Sequence, residues 1–179
     1  MLFRCSAVGN LMSEPKLVAD KKAGKLSKTA ESYLNQFIFE YKYGRRQNFS
    51  TKATQKGTQT EDDGIHVLNM VMKTRYKKNT ERFYGDYLTG EPDIIGKDII
   101  IDIKSNYSAN SFLGKDSIDN IYFWQLLGYC VLDEKRKGAI AYTLNNTPLD
   151  IIKSEITSAY YKNGLVDLTD EQKAKIALN

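Results

Sequence analysis

The stretch GEPDIIGKDIIIDIKS, from Gly90 to Ser105, puts charged residues inside an isoleucine-rich segment. Charge beside a core is costly unless it is solvated or compensated. Glu91–Ile95 and Asp98–Lys104 flank the Gly96-Lys97 dipeptide, so the pattern predicts a hairpin with a two-residue turn. Side chains alternate across a strand. Asp102 and Lys104 therefore share a face with Ile100, while Ile99, Ile101 and Ile103 point the other way. A turn at Gly96-Lys97 sets Ile95 against Asp98 and Asp93 against Ile100. Asp93 is then diagonal to Asp102, roughly 7–8 Å away, close enough for two carboxylates to converge on one ion. The plainer alternative is an exposed edge with Lys104 as a salt-bridge partner. The flanking isoleucines favour burial, and a buried carboxylate pair repels itself unless a cation bridges it. A hard, all-oxygen site of this kind suits Mg²⁺ or Mn²⁺ better than zinc.

The rest of the chain narrows the chemistry. Its 179 residues are 41% hydrophobic and 27% charged, which fits a single globular domain spanning 1–179. No apolar run is long enough to span a bilayer, and MLFRCSAVGNLM is too short in apolar length for a secretory signal. A cytosolic protein, of a bacterium or an infected host cell, is expected. Cys5 and Cys130 are far apart and lack CxxC partners, which argues against zinc or iron–sulfur sites and for two thiols. The lone histidine, His66, excludes a multi-histidine metal site and reads as a helix-surface residue. Net charge is +4. The basic residues cluster, at Lys16, Lys21, Lys22, Lys25 and Lys28, at Lys42, Arg45 and Arg46, and at Lys73, Arg75, Lys77 and Lys78. Each cluster fits a solvated loop as well as a nucleic-acid contact. Tyr41, Tyr43, Phe49 and Tyr76 between them suit bases or sugars, and suit a core equally.

Periodicity gives the order of elements. Ser6 before AVGNLM predicts a short helix with a serine N-cap. Residues 13–27 read as a loop. Ala30, Tyr33, Leu34, Phe37, Ile38 and Tyr41 recur at helical spacing, so a helix spans Ser27 to Tyr43 and stops at Gly44. A second long helix runs from Thr51 or Thr54 to Tyr76, with Ile65, Leu68, Val71 and Met72 on its apolar face. Gly57 and Gly64 weaken it locally. Arg82–Leu88 is a candidate strand ahead of the hairpin. Residues 105–116 form a loop, Asp119–Leu132 a helix, Gly138–Thr143 a strand, and Asp150–Tyr161 and Thr169–Leu178 helices. Thr169 and Gln172 have capping-box spacing. The fold class is α/β, a small central mixed sheet flanked by helices.

Two further residues stand out. Glu61, in KGTQTEDDG, opens the second long helix; alone it reads as a surface acid. Gln125, in FWQLLGY, lies one helical turn from Tyr129 and needs polar partners among Phe, Trp and Leu.

Taken in order, G-x-x-x-E (Gly57 to Glu61), P-D (Pro92, Asp93), D-x-K (Asp102, Lys104) and Q-x-x-x-Y (Gln125 to Tyr129) resemble the PD-(D/E)XK nuclease superfamily. The spacings are similar to its RecB-like branch, that of YqaJ and lambda exonuclease, whose core is restriction-endonuclease-like. RCSAVGNLM resembles that branch's early serine-capped helix. The resemblance covers about residues 4–145. It implies a metal-dependent DNA nuclease, most readily a phage-type recombination exonuclease acting on double-stranded ends. It implies that Asp93, Asp102, the Ile103 carbonyl and Glu61 bind Mg²⁺, with Mn²⁺ able to substitute. Lys104 would orient or deprotonate the attacking water. Gln125 would position that water or the DNA strand, with Tyr129 beside it. Ser6 would contact a strand-end phosphate, and Arg4, Arg45, Arg46 and Tyr129 would touch DNA. The branch usually carries an arginine several residues before the serine, and Arg4 stands at a different spacing. Relatives with an iron–sulfur cluster need four cysteines, and this chain has two. The family also implies a homo-oligomer, a ring trimer, and a single-strand annealing protein as partner; no membrane association is expected. Two alternatives stay open: a structure-specific or restriction-type endonuclease with the same site, and a non-catalytic nucleic-acid-binding or virion protein that kept the fold.

Overall fold

The computed structural model describes residues 2–46, 50–135 and 137–177. Phe49, Met1 and Leu178, which figure in the sequence reading above, lie outside the described residues. The elements run β1 (Phe3–Arg4), α1 (Cys5–Leu11), α2 (Val18–Lys22), α3 (Lys28–Tyr43), α4 (Lys52–Gln59), α5 (Glu61–Met72), β2 (Phe83–Tyr84), β3 (Leu88–Gly90), β4 (Ile94–Ile95), β5 (Ile99–Ser105), α6 (Ala109–Leu113), α7 (Asn120–Leu132), β6 (Lys137–Thr143), α8 (Leu149–Lys162) and α9 (Asp170–Ala177). The strands form two three-stranded sheets, ordered β1-β3-β2 and β4-β5-β6. In the first, β1 is parallel and β2 antiparallel to β3, so it is mixed. The class is α/β, as the element order predicts. The chain groups into two compact units, 1–48 with 79–102 and 117–140, and 49–78 with 103–116 and 141–179.

In the first unit the core is Cys5, Ile100, Leu126 and Tyr129, with Leu88, Leu132 and Ile140 packed on it. Small residues let its elements approach. A Cβ on Gly9 would stand 2.6 Å from the Ile121 main chain, so α1 lies directly on α7. Gly90 and Gly128 leave room for the Cys5 sulfur, which a Cβ on either would meet at 3.0 and 2.9 Å. Ser27 caps α3 by accepting the Ala30 N–H, and Gly44 ends it at φ 62°. Only part of the expected apolar stripe is covered. Ala30 and Tyr33 are buried, whereas Ile38 and Tyr41 are exposed. Two expectations are corrected here. Helix α1 begins at Cys5 with Arg4 at the cap position and no side-chain cap bond, so Ser6 is an exposed first-turn residue. The cause is β1: pairing with β3 already holds Arg4 extended, and the helix starts straight from the strand. The 13–27 loop contains α2, followed by the ion pair of Lys25 with Asp20.

The hairpin also differs in its turn. The pairs are Ile94–Ile101 and Ile95–Ile100, and the Gly96 N–H donates to the Ile99 carbonyl at 2.8 Å. The two-residue turn is therefore Lys97-Asp98 rather than Gly96-Lys97. The candidate strand at 82–88 is two short strands, β2 and β3, with the bend closed by Gly85 N–H on the Leu88 carbonyl.

In the second unit the expected long helix is two, α4 and α5, broken at Thr60. Thr60 is buried, and its hydroxyl lies 2.9 Å from the Lys56 carbonyl and 3.0 Å from Ser105 Oγ. Asn145 Nδ2 donates to the Thr60 carbonyl at 3.2 Å and to Ser105 Oγ at 3.0 Å. These bonds hold the kink in place of helix continuity. Helix α5 stops at Met72, short of Tyr76, because Asn69 bonds both the N–H and the carbonyl of Tyr76 and folds the chain back. Ile65 is buried, but Val71 and Met72 are exposed. Lys56 is only 1% exposed and donates to the Tyr107 carbonyl at 2.9 Å; burial lowers its pKa. The 105–116 loop contains α6, capped reciprocally by Ser108 and Ser111. Helices α7 and α8 and strand β6 match the sequence reading, and Thr169 and Gln172 make the expected capping box at α9.

Candidate active site

The corrected turn changes where the two aspartates of the hairpin meet. Continuing the Ile94–Ile101 pairing by one step sets Asp93 directly opposite Asp102, where diagonal placement was expected. Hydrogen-bonded and non-hydrogen-bonded pairs alternate along an antiparallel ladder. Gly96–Ile99 is a bonded pair, so Ile94–Ile101 is bonded and the Asp93–Asp102 position is not. The Asp93 carbonyl accepts the Asn79 N–H at 2.7 Å.

Asp102 is 1% exposed. Strand β5 is covered on both faces there, since Ile100, Ile101 and Ile103 are also buried. Helix α7 brings Gln125 and Tyr129, one turn apart and both buried, to the Ile100–Asp102 face. Gln125 Nε2 donates to Asp102 Oδ1 at 3.1 Å and to the Tyr129 hydroxyl at 2.8 Å. The polar partners that a glutamine among Phe, Trp and Leu requires are thus an acid and a phenol. Burial, then the negative charge of Asp102, with a smaller part from Asp93, pushes the Tyr129 phenol well above its ordinary value; the Gln125 bond opposes them. Tyr129 stays neutral and both carboxylates act on it.

Glu61, Ile103 and Lys104 belong to the second unit. Glu61 is the first residue of α5 and pairs with Lys78 at 3.2 Å, as does Asp62. Burial alone would lower the Lys78 ammonium; its bonds to Asp62 and Glu61 outweigh that and raise it. The first turn of α5 packs closely on β5, since a Cβ on Gly64 would stand 2.6 Å from Ile103 Cγ2. Lys104, two residues beyond Asp102 on the same strand, takes the Asp102 face by alternation. Thr60, Ser105, Thr143 and Asn145 tie the start of α5 to the ends of β5 and β6. Sequence reasoning passed over this buried polar group. Its signal was a threonine and an asparagine beside apolar elements without turn chemistry.

The other sequence candidates lie at the surface of the first unit. Ser6, Arg45 and Arg46 are exposed. Arg4 pairs with Glu40 at 3.1 Å. His66 is exposed on α5, and Cys5 and Cys130 are free thiols, as expected. Among the described residues, no group of three or more His, Cys, Asp or Glu side chains gathers as a metal cluster, and no helix is long and apolar enough to cross a membrane.

No family model matches the chain, and no curated protein matches it. Solved structures do. A phage-related exonuclease from Haemophilus somnus 129PT superposes with a TM-score of 0.73 at 32% identity, over 84% of this chain and 71% of its own. An alkaline exonuclease from Laribacter hongkongensis gives 0.65 at 13% identity, over 98% and 89%. The same enzyme in complex with dAMP gives 0.63 at 15% identity, over 84% and 73%. At those lower identities the likeness is one of fold.

Proposed function

The chain belongs to the phage-related exonucleases of the PD-(D/E)XK superfamily, and we propose that it is a metal-dependent deoxyribonuclease degrading double-stranded DNA from a free end. What supports this reading is a buried Asp102 that Gln125 holds by a hydrogen bond, with Asp93 one residue ahead of β4 in the same hairpin.

The donors fit a hard divalent cation. Two carboxylates at facing positions, one of them buried, require a compensating positive charge. Oxygen donors suit Mg²⁺, with Mn²⁺ as substitute. Asp93 and Asp102 would hold it; the Ile103 carbonyl and Glu61 join on the motif alone. Bound there, the ion would lower the pKa of a water and offset charge building on the phosphate. The chain's own groups do the rest. Gln125 fixes the rotation of the Asp102 carboxylate, and neutral Tyr129 fixes the amide of Gln125. Lys104 orients or deprotonates the attacking water. Ser6, Arg4, Arg45 and Arg46 are assigned to DNA. The protein would act in the cytosol of a bacterium or a phage-infected cell, with a ring of copies around DNA and a single-strand annealing protein as candidate partners.

The test uses end-labelled linear duplex and closed circular DNA, with Mg²⁺ or with EDTA. Linear DNA should be degraded only with metal, circular DNA should survive, and Asp102→Ala and Lys104→Ala should abolish cleavage while melting as folded proteins. Cleavage of the closed circle would instead indicate an endonuclease. Undiminished cleavage by both variants would remove the active-site assignment.

A further inference from the structure

We propose that Asn79 is a positioning residue for Asp93, acting as a clamp on the Pro92-Asp93 main chain. The proposal rests on the metal-site reading above. Asn79 makes four hydrogen bonds around this turn. Its N–H donates to the Asp93 carbonyl at 2.7 Å. Its Nδ2 donates to the Pro92 carbonyl at 2.9 Å and to the Glu81 carbonyl at 2.8 Å. Its Oδ1 accepts the Glu81 N–H at 3.1 Å. The side chain thus joins Glu81 to Pro92, and the main-chain N–H of the same residue holds Asp93.

The clamp matters because β4 is short. Regular pairing covers only Ile94 and Ile95, so the sheet does not itself fix the residue before it. Asp93 stands as a bend residue just ahead of that pairing, and its carbonyl accepts the Asn79 N–H. Without a second anchor the main chain at Asp93 could rotate and carry the carboxylate away from Asp102. Proline at 92 supplies no N–H, so at that residue only the carbonyl can be held. Asn79 bonds the carbonyls on both sides of the Asp93 N–Cα segment. It touches no reacting atom; it acts through the acid. Outer partners that orient ligands typically change metal affinity by about 10–100-fold when removed.

The test is calorimetric titration of Mn²⁺ into the full chain without DNA, beside thermal melting of each variant. Asn79→Ala removes all the side-chain bonds. Asn79→Ser keeps a hydroxyl for the Glu81 N–H and decides the matter if the alanine variant does not fold. Asp93→Asn is the control. We expect wild type to bind, Asp93→Asn to lose binding, and folded Asn79 variants to bind about 10-fold more weakly. Their cleavage deficit should disappear at raised Mn²⁺, which a merely structural defect would not do. If folded Asn79 variants bind within about twofold of wild type while Asp93→Asn does not bind, the clamp is refuted and the metal site stands. If wild type does not bind, or Asp93→Asn binds like wild type, the metal-site reading fails and the clamp with it.

Discussion

Gln125 donates its side-chain N–H to Asp102 Oδ1 over 3.1 Å, joining the middle of α7 to the middle of β5. The same nitrogen donates to Tyr129, so the amide cannot turn without losing both bonds. Removing the donor leaves a buried acid with less support, at a cost of about 1–3 kcal/mol. Gln125→Ala should therefore lower both the denaturation midpoint and the cleavage rate, the latter about 10–100-fold. Gln125→Glu should be worse for cleavage, since it brings a second carboxylate against Asp102. Tyr129→Phe should be milder than either. Equal rates in wild type and Gln125→Ala would detach α7 from the chemistry.

Gly90 controls the same linkage from behind. A Cβ there would stand 2.5 Å from Tyr129 Cε1 and 3.0 Å from the Cys5 sulfur. Neither neighbour can retreat, because both belong to the closed core. Gly90→Ala should cost about 1–3 kcal/mol through overpacking. It should also displace the ring whose hydroxyl holds Gln125, so cleavage should fall with stability. Gly85→Ala is the comparison: its Cβ would meet the flexible end of Leu132 at 3.0 Å and the Leu88 carbonyl at an ordinary 3.8 Å, and the loss should be smaller. Urea midpoints and cleavage rates on the two variants check both statements.

The hairpin was legible because alternating isoleucines and a turn signal constrain each other. Its register was not, because Gly96-Lys97 and Lys97-Asp98 both satisfy local turn chemistry. The observed choice pairs Ile95 with Ile100 instead of with Asp98, and it lets Asp98 meet Lys137 at 3.0 Å. That contact crosses 39 residues, beyond any local rule. The same holds for the break at Thr60. Threonine is no helix breaker, and nothing adjacent predicts a stop. The kink depends on Ser105 and Asn145, which are 45 and 85 residues away. Ser6 failed as a cap for the converse reason: a strand pairing two residues upstream took over the start of the helix. The Asp102–Gln125 bond, by contrast, was half legible: an acid among isoleucines and an amide among Phe, Trp and Leu each need a polar partner whatever the register, though not which one.

Cys5 gives a pH test of the core. It is fully buried, and burial pushes its thiol from an ordinary 9.0 to about 11, against smaller lowering effects of its own backbone bond and Arg82. Between these values the unfolded chain carries a thiolate and the folded chain a thiol, so folding binds the proton. The thiol's contribution is complete below pH 9.0 and is lost as pH rises through about 11. The difference in melting temperature between wild type and Cys5→Ala should therefore narrow across that window. A constant difference would mean that Cys5 titrates alike in both states. Cys130, only partly buried, should react with thiol reagents in the native protein well before Cys5 does.

Two glycines of the second unit make opposite predictions from one kind of change. Gly57 lies inside α4, where glycine costs about 0.5–1 kcal/mol relative to alanine. A Cβ built on it meets nothing within 4 Å. Gly64 lies inside α5, but its Cβ would stand 2.6 Å from Ile103 Cγ2 and 3.1 Å from Thr143 Oγ1. Ile103 is buried and Thr143 is bonded to Asn145, so neither yields readily. Gly57→Ala should then raise the urea midpoint by about 0.5–1 kcal/mol equivalent, through helix propensity alone. Gly64→Ala should lower it by about 1–3 kcal/mol, because helix propensity is outweighed by overpacking against the strand. The sign of the difference is the decisive readout. If Gly64→Ala were as stable as Gly57→Ala, α5 would not sit on β5 at Ile103.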